Sequence, residues 1–278
     1  MELRQTYPLA TLLQIAHLPR SSYYYHTARL PRSEKHISER DAIRKICAEH
    51  KGRYGYRRVT LALHQRGYQT NHKLVMKLMC EEHLSCVLRP KRYRSYRGEI
   101  GRVAPNRLNR RFKAVQPNTK WTTDITEFKV NGQKLYFSPI LDLYNGEIVS
   151  YSISKIPDFR IVRDMLQQAF QKIPDHGPLM LHSDQGWQYQ MRSYQRMLKE
   201  NGITQSMSRK GNCYDNCVIE NFFGLLKTEF FYNQSFISVD NFQKALDKYI
   251  EYYNNKRIKV KLKGLSPVQF RTQSFVPT

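Results

Sequence analysis

The chain has 278 residues, with 46 Lys+Arg against 23 Asp+Glu, and its formal net charge is +23. Hydrophobic residues make up 40% of the chain, enough to build a core, so the composition excludes wholesale disorder. No run approaches 18 apolar residues, which excludes a membrane-spanning helix, and the interrupted apolar stretch from Leu9 to Leu18 does not match a signal peptide.

The positive charge is concentrated in the first part of the chain. Residues 1–120 hold 26 basic and 8 acidic residues, a net charge of +18. Residues 121–278 hold 20 basic and 15 acidic residues, a net charge of +5. Nucleic acid is the commonest partner of such a basic region, ahead of anionic membranes and acidic proteins. The asymmetry predicts a binding region joined to a less charged domain with a different task.

Residues 1–36 contain two short helical patterns on either side of Pro19. The first has apolar residues at helical spacing: Leu9, Leu12, Leu13 and Ala16. Arg20, Ser21 and Ser22 can open the second helix. This arrangement is compatible with a helix-turn-helix, and a small helical hairpin formed only for packing explains it equally well.

Residues 37–88 predict a second helical domain with three helices. Ile37, Ile43 and Ile46 mark the first helix, the turn at Arg57 and Arg58 opens the second, and Gly67 ends it. Asn71 is expected to cap the third helix. Opposite the apolar face of that helix lie three basic candidates for DNA contact: His72, Lys73 and Lys77. We expect DNA binding here by Arg57, Arg58 and that face, with a merely solvated basic face as the alternative.

Residues 89–117 predict a basic linker. Eleven Lys+Arg and a single acid occur between residues 89 and 120, apolar periodicity is absent, and three prolines interrupt any helix. Besides a plain tether, such a segment can lie along the phosphate backbone and add affinity without reading sequence. The candidate contacts are Arg92, Arg94, Arg97, Arg110 and Arg111.

Residues 118–234 change to the period of strands. Three strands joined by turns at Asn131-Gly132 and Asn145-Gly146 precede an alternation of helices and short strands. The element order β-β-β-α-β-α-β-α predicts an α/β domain with a mixed sheet, of ribonuclease-H-like type, behind an all-α N-terminal region.

Residues 235–278 predict a C-terminal helix, over 240–253, and a basic tail. Five of the eight residues from Lys256 to Lys263 are basic. We expect the helix to pack on the core, and Lys256 and Arg257 to contact DNA.

Three carboxylates stand out in the less charged part. Asp124 is predicted within a strand, Asp184 just after a short apolar strand, and Glu220 on a helix that Asp215 can cap. If the strands are neighbours, these acids converge and repel each other unless a divalent cation neutralises them. Mg²⁺ prefers such oxygen ligands, and two ions about 3.5–4 Å apart can support phosphoryl transfer. Spacing alone favours scattered surface acids, because a chain with 23 acidic residues offers many such triplets.

The surrounding sequence motifs favour the converging site. With 35 residues between Asp184 and Glu220, the acids resemble the D,D(35)E core of retroviral-type integrases and bacterial transposases. WTTDITEF, LHSDQGWQYQ and SRKGNCYDNCVIENFFGLLKTE resemble, more narrowly, the OrfB transposases of insertion-sequence family three. YGYRRVTLAL…NHKLVMKLM and YNNKRI…GLSPVQF extend the resemblance over essentially the whole chain. It implies metal binding by Asp124, Asp184 and Glu220.

Six further residues are candidates around these acids. The resemblance also singles out Lys227, which follows Glu220 by two helical turns and so shares its face. Lys227 is expected to contact DNA near the scissile phosphate, with a solvated lysine at a helix end as the alternative. Asn216, on the same face, either orients Glu220 or contacts DNA. His182 and Asp142 are possible supporting residues, although a structural role explains both. Trp187 and Tyr189 could stack on an unpaired base, with core packing as the alternative.

These features together predict an enzyme, a polynucleotidyl transferase of the DDE transposase class that cleaves element ends and transfers strands. The expected cofactor is Mg²⁺ or Mn²⁺, in two ions. Expected partners are double-stranded DNA (terminal repeats, flanking and target DNA), further copies of the chain, and an upstream-frame fusion partner of the kind found in this family. Alternatives are a DNA-binding regulator and a ribonuclease-H-type nuclease. Five cysteines, read as reduced thiols, indicate the cytoplasm, here the bacterial nucleoid, without any membrane partner.

Overall fold

Two short helices open the part of the chain that can be described. The computed structural model describes residues 6–27, 36–86, 103–173 and 177–273. Helices α1 (Leu9–Ile15) and α2 (Arg20–Thr27) flank Pro19, as predicted. Three predicted DNA contacts, Arg92, Arg94 and Arg97, lie outside the described residues. Within the described ranges, no helix is both long enough and apolar enough to cross a bilayer.

The second helical segment forms a compact three-helix unit, called here the helical domain. It consists of α3 (Ile37–Glu49), α4 (Tyr56–Gln65) and α5 (His72–Glu81). Its core is made of apolar side chains from all three helices: Ile43, Ile46, Val59, Leu63, Val75 and Leu78. The Asn71 side chain accepts a hydrogen bond of 2.9 Å from Lys73 N, which confirms the predicted cap of α5.

A six-stranded mixed sheet forms the centre of the remaining chain. Its strands are β1 (Lys120–Thr123), β2 (Thr126–Val130), β3 (Gln133–Asp142), β4 (Ile148–Ser154), β5 (Met180–Ser183) and β6 (Thr204–Met207). Strands β1 and β2 follow each other along one side of β3, and β4 pairs with its other side. Strands β1, β5 and β6 are mutually parallel, whereas β1, β2 and β4 are antiparallel to β3. The predicted mixed α/β sheet is confirmed.

Asp124 lies between two strands, so its predicted mid-strand position is wrong. The pairing of β3 keeps one register across the break, since Thr123 pairs with Ile140 and Thr126 pairs with Phe137. Asp124 therefore stands opposite Pro139. Proline has no N–H to donate to a strand ladder, and the interruption coincides with it.

Helices cover both faces of the sheet. Along the chain they are α6 (Phe159–Lys172), α7 (Trp187–Gln190), α8 (Arg192–Glu200), α9 (Cys217–Leu226), α10 (Val239–Asn255) and α11 (Pro267–Gln273). Helices α6 and α8 share one apolar cluster with β1 and β5, while α9 and α10 share another with β2 and β3. The backbone continues from α9 into a π-helical turn, Lys227–Phe231, so that one helical rod runs from residue 217 to residue 231.

Part of the predicted linker is packed on the sheet and does not form a free strap. Leu108 is buried, and the Ser206 hydroxyl on β6 accepts hydrogen bonds from the backbone N–H groups of Arg107 and Leu108, at 2.9 and 3.1 Å. The segment after residue 103 therefore packs against side chains of β6, the last strand on this side of the sheet. The sequence pattern missed this because a single apolar residue, Leu108, anchors the segment.

Candidate active site

Asp124 and Asp184 follow two neighbouring parallel strands. The register of β1 and β5 pairs Trp121 with Leu181 and Thr122 with His182. Each aspartate is the first residue after its strand. Since the carboxyl ends of parallel strands meet at one edge of a sheet, both side chains belong to the same edge, where ligands of open α/β sheets bind.

Short local hydrogen bonds hold one oxygen of each aspartate. Asp124 Oδ1 accepts from Ile125 N at 2.7 Å, and Asp184 Oδ1 accepts from Gly186 N at 2.8 Å. A Cβ atom at Gly186 would lie 2.9 Å from Asp184 Oδ1, closer than real Cβ contacts. The glycine therefore allows the chain to turn tightly around the Asp184 carboxylate before α7 begins.

Helix α9 brings Glu220 to the same edge. Its apolar side chains, Ile219, Phe222, Phe223 and Leu226, are buried in the cluster shared with β2 and β3. Glu220 lies in the first turn and is half-buried. Just before α9, the Asn216 side chain is buried and accepts a hydrogen bond of 3.2 Å from the Thr122 hydroxyl of β1. That bond attaches the start of α9 to β1, the strand that ends just before Asp124.

The three carboxylates influence each other's protonation. Burial, followed by the charges of Asp184 and Glu220, raises the pKa of Asp124 well above its ordinary value. Burial also raises the pKa of Asp184, and burial together with Asp184 raises that of Glu220. The edge therefore concentrates negative charge that a cation would stabilise.

Lys227 is the nearby cation on the helical rod. Its Nζ lies 5.7 Å from the centroid of the Phe128 ring. Burial lowers the pKa of Lys227, while the charges of Glu127 and Asp124 act in the opposite direction. Lys227 is half-buried, and its position two turns after Glu220 directs it along the same side of the rod.

The donor set at this edge consists of carboxylate oxygens, the ligands that hard divalent cations prefer. Within the described residues, no group of three or more His, Cys, Asp or Glu side chains is arranged closely enough to hold an ion. Asp124, Asp184 and Glu220 are thus collected at one edge without forming a closed coordination shell. Their chemistry fits a divalent cation whose remaining ligands come from substrate and water.

Known proteins match the chain in both its helical and its sheet-containing parts. Residues 114–213 and 220–275 match two families described as integrase core domain, and residues 34–93 match an HTH-like domain. A protein of Escherichia coli K12, named as transposase InsK for insertion sequence element IS150, is 55% identical over 99% of this chain and 98% of its own length. The chain belongs to the insertion-sequence transposases.

Further comparisons agree with this assignment to a family of DNA transposases. The transposase is 32% identical to InsF of insertion sequence IS3A from Escherichia coli K12, over 96% of this chain and 95% of that protein. A chain of the simian T-cell lymphotropic virus intasome, solved in complex with PP2A regulatory subunit B56 gamma, superposes with a TM-score of 0.52. That likeness covers 85% of this chain and 76% of the viral one at 17% identity, and it supports the fold alone.

His182 and Asp142, the two possible supporting residues, bind neighbours other than the three acids. His182 is fully buried, with its ring nitrogens 2.9 and 3.2 Å from the hydroxyls of Ser206 and Ser208, and burial lowers its pKa to about 4. Asp142 accepts backbone hydrogen bonds from Asn118 and Tyr144, both at 2.8 Å. These contacts connect β5 to β6 and fix the turn after β3.

Besides the buried Asn216, two of the predicted DNA contacts in the transposase are directed inward. Arg257 is buried, and its Nε and Nη2 lie 2.8 and 2.6 Å from the Glu229 carboxylate. The prediction that Arg257 contacts DNA is therefore wrong. Arg58 is half-buried, lies over the Tyr54 ring at 5.7 Å, and has its pKa lowered by burial. A run of basic residues in a sequence does not show which of them has a buried partner.

Most of the other predicted contacts remain at the surface. Six predicted DNA contacts have exposed side chains: Arg57, His72, Lys73, Lys77, Arg111 and Lys256. On α5 these side chains lie opposite the buried Val75, Leu78 and Met79. The basic face that the sequence predicted on this helix is therefore available to DNA.

Asp215 has a role that the sequence did not reveal. It does not cap α9, because its buried carboxylate accepts hydrogen bonds from Arg209, Arg110 and Asn106 at 2.8–3.1 Å. The bonds from Arg209, above all, hold the pKa of Asp215 well below its ordinary value. The predicted DNA contact Arg110 is thus bound to the turn that precedes α9. A possible sequence signal was Arg209, six residues before the aspartate.

Proposed function

We propose that this transposase is a polynucleotidyl transferase in which Asp124, Asp184 and Glu220 hold Mg²⁺ or Mn²⁺, as a pair of ions. The observation that carries the proposal is the convergence of two strand-end aspartates and a helical glutamate at one sheet edge, where burial raises the pKa of all three and the charges of neighbouring carboxylates add to the rise at Asp124 and Glu220. When bound, the cations would neutralise the carboxylates, attract phosphate oxygens and make an oxygen nucleophile more acidic.

The reaction has two displacements at phosphorus. In the first, the oxygen of water attacks a phosphodiester at the element end, the bond from phosphorus to the 3′ oxygen breaks, and the element keeps a 3′-hydroxyl. In the second, that 3′ oxygen attacks the phosphorus of another phosphodiester, and the bond from this phosphorus to the 3′ oxygen of the attacked strand breaks. Each incoming hydroxyl loses its proton to solvent and each leaving 3′ oxygen gains one. Lys227 contacts the DNA phosphates beside the reacting one and offsets their charge.

The proposal assigns the remaining parts to DNA binding and assembly. The helical segments (1–36 and 37–88) recognise terminal repeats, while the linker (89–117) and exposed tail cations hold flanking and target DNA. The core (118–234) and the C-terminal segment (235–278) carry the reaction. Since two element ends must meet, the transposase acts as a homo-oligomer on DNA, with an upstream-frame fusion partner where the element encodes one. Its place is the bacterial nucleoid, where its substrate is.

Nicking and joining assays test the proposal. The full-length chain is incubated in Mg²⁺ with a labelled duplex carrying the end of the element that encodes it. The wild type is expected to nick and then join, whereas Asp124→Asn, Asp184→Asn and Glu220→Gln bind the duplex but do neither. Asp164→Asn, which alters a half-buried carboxylate on α6 paired with Arg163, is the control and retains both steps.

Three other results would contradict the proposal in different ways. Joining by any of the three acid variants would remove the assigned site. Cleavage of an RNA–DNA hybrid without joining would indicate a ribonuclease-H-type nuclease. Binding of the end duplex without nicking by the wild type would indicate a DNA-binding regulator that depends on a partner.

A further inference from the structure

The helical domain is joined to the catalytic part of the chain by a buried contact in which Tyr54 is central. The Tyr54 hydroxyl donates to the backbone oxygen of Lys256 at 3.3 Å and accepts from Ile258 N at 2.9 Å. Its ring stacks on His50 with 3.9 Å between centroids. The Ile258 side chain is buried inside the helical domain's own core. The segment after α10 is therefore part of both units.

Arg53 adds a second set of contacts across the same boundary. Its guanidinium lies over the rings of Tyr249 and Tyr252 on α10, 5.1 and 4.8 Å from their centroids. Its Nε donates a hydrogen bond of 3.1 Å to the backbone oxygen of Glu229. The carboxylate of Glu229 is in turn held by Arg257 and by the Tyr249 hydroxyl. These residues, with Tyr54 and Ile258, are called here the interdomain joint.

Glu229 belongs to the far end of the rod that carries Glu220. A helix ends with backbone oxygens that lack partners within the helix and carry partial negative charge. Here Arg53 supplies a cationic donor to one of those oxygens, from another domain. At 1.5 Å per residue, the nine residues from Glu220 to Glu229 span about 14 Å. The rod thus has the acidic site at its first turn and the interdomain joint at its last.

We propose that Arg53 is a positioning residue, which fixes the DNA-recognising helical domain relative to the helix of Glu220 and so sets where the chain nicks. With the joint formed, the distance from α5 to the acidic edge is constant, and nicking occurs at one position relative to the bound repeat. This inference rests on the proposed function of the acidic site. The proposed function itself needs only the three carboxylates.

The arrangement of the contacts distinguishes this role from general stabilisation. Each unit has its own apolar core, and Arg53 contributes to neither. Its partners lie on the rod and on α10, outside the helical domain. Other contacts across the boundary remain when Arg53 is removed: the two Tyr54 hydrogen bonds, the buried Ile258 side chain, and a bond of 2.7 Å from Gln65 Nε2 to the backbone oxygen of Gly264. Loss of Arg53 should therefore alter the relative position of two folded units.

Mapping of nick positions tests the inference. Wild type, Arg53→Ala and the milder Tyr54→Phe are compared as full-length chains on two duplexes of equal length, one with the element end and one with a scrambled sequence. For Arg53→Ala we expect end-duplex affinity within threefold of wild type and an unchanged nicking rate on the scrambled duplex. On the end duplex, the rate of nicking at the main position should fall at least tenfold, and nicks should also appear at neighbouring phosphates. Arg196→Ala, at an exposed arginine on α8, is the control.

The outcomes distinguish an error about the interdomain joint from an error about the acidic site. A single nick position at the wild-type rate in Arg53→Ala would overturn the inference and leave the proposed function standing. Equal losses on both duplexes would also overturn it, since they would indicate damage to the fold. Tyr54→Phe keeps the aromatic ring and should change nick positions in the same direction as Arg53→Ala, to a smaller extent. If neither variant changes the nick positions, the proposed role of the interdomain joint is wrong. A wild type that nicks neither duplex would reject the proposed function, and the inference with it.

Discussion

Asp124 and Asp184 occupy equivalent positions on two adjacent parallel strands. Thr122 pairs with His182, and each aspartate lies two residues further along its chain, so the two carboxylates follow the same point of the paired strands. Neighbouring strands are about 4.8 Å apart, a distance at which two carboxylates repel strongly in a half-buried setting. Their repulsion is a cost that the fold carries unless a cation is bound.

Metal addition should therefore stabilise the wild-type chain. At a Mg²⁺ concentration ten times its dissociation constant, binding to the native state contributes about 1.4 kcal/mol, or roughly 3–6 °C in melting temperature for a chain of this size. Calorimetry in Mg²⁺ and in chelator measures the difference. Asp184→Asn should lose most of this shift, whereas Asp164→Asn should keep it. An equal shift in wild type and Asp184→Asn would show that the cation binds elsewhere.

Lys227 provides a prediction about joining. Its ammonium group is half-buried beside the acidic edge, where a contact to DNA phosphate is less screened than at an open surface. Lys227→Ala is expected to reduce strand transfer about 100-fold, comparable with removal of one charge-stabilising group, while terminal-repeat binding changes little. Single-turnover joining rates measure this effect. Lys244→Ala, at an exposed position of α10, is the matched control, and an equal effect of both variants would contradict the assignment.

The acidic site was more predictable from sequence than its surroundings. The strand period and the position of Asp184 after a short apolar strand depend on nearby residues, and they were sufficient to place it at a sheet edge. The break at Asp124 depends on Pro139, which becomes its neighbour only through the pairing of β3. Likewise, Arg257 resembles its basic neighbours in sequence, and its partner Glu229 lies 28 residues earlier. Contacts of this kind follow from tertiary packing and leave no local pattern.

Arg257 and Lys256 form a matched pair for a stability prediction. Arg257→Met would leave the buried Glu229 carboxylate without its guanidinium partner, at an expected cost of about 3–5 kcal/mol in unfolding free energy. Lys256→Met alters an exposed residue and should stay within about 0.5 kcal/mol. Urea unfolding compares them. The double variant Glu229→Met with Arg257→Met should recover much of the loss, because replacement of both partners by apolar groups is often nearly neutral. A cost for Arg257→Met no larger than that for Lys256→Met would contradict the buried pair.

Asp142 gives a pH dependence whose sign can be stated. Burial raises its pKa from 3.8 to about 6, against the opposing effect of hydrogen bonds from the backbone N–H groups of Asn118 and Tyr144. The folded state therefore binds a proton more tightly than the unfolded state, and the associated stabilisation is present below pH 4 and lost as pH rises through 6. A rise of that size corresponds to about 3 kcal/mol.

Asp142→Asn removes this titration. The unfolding free energy of the wild type relative to Asp142→Asn should fall by up to about 3 kcal/mol between pH 4 and pH 7, as measured by urea unfolding at several pH values. The absolute stability of the variant depends also on the hydrogen bond that an amide cannot accept, so the slope with pH is the decisive quantity. If the curves for Asp142→Asn and the wild type were parallel, Asp142 would be ionised throughout this pH range in the folded chain, and its burial would carry no pH-dependent cost.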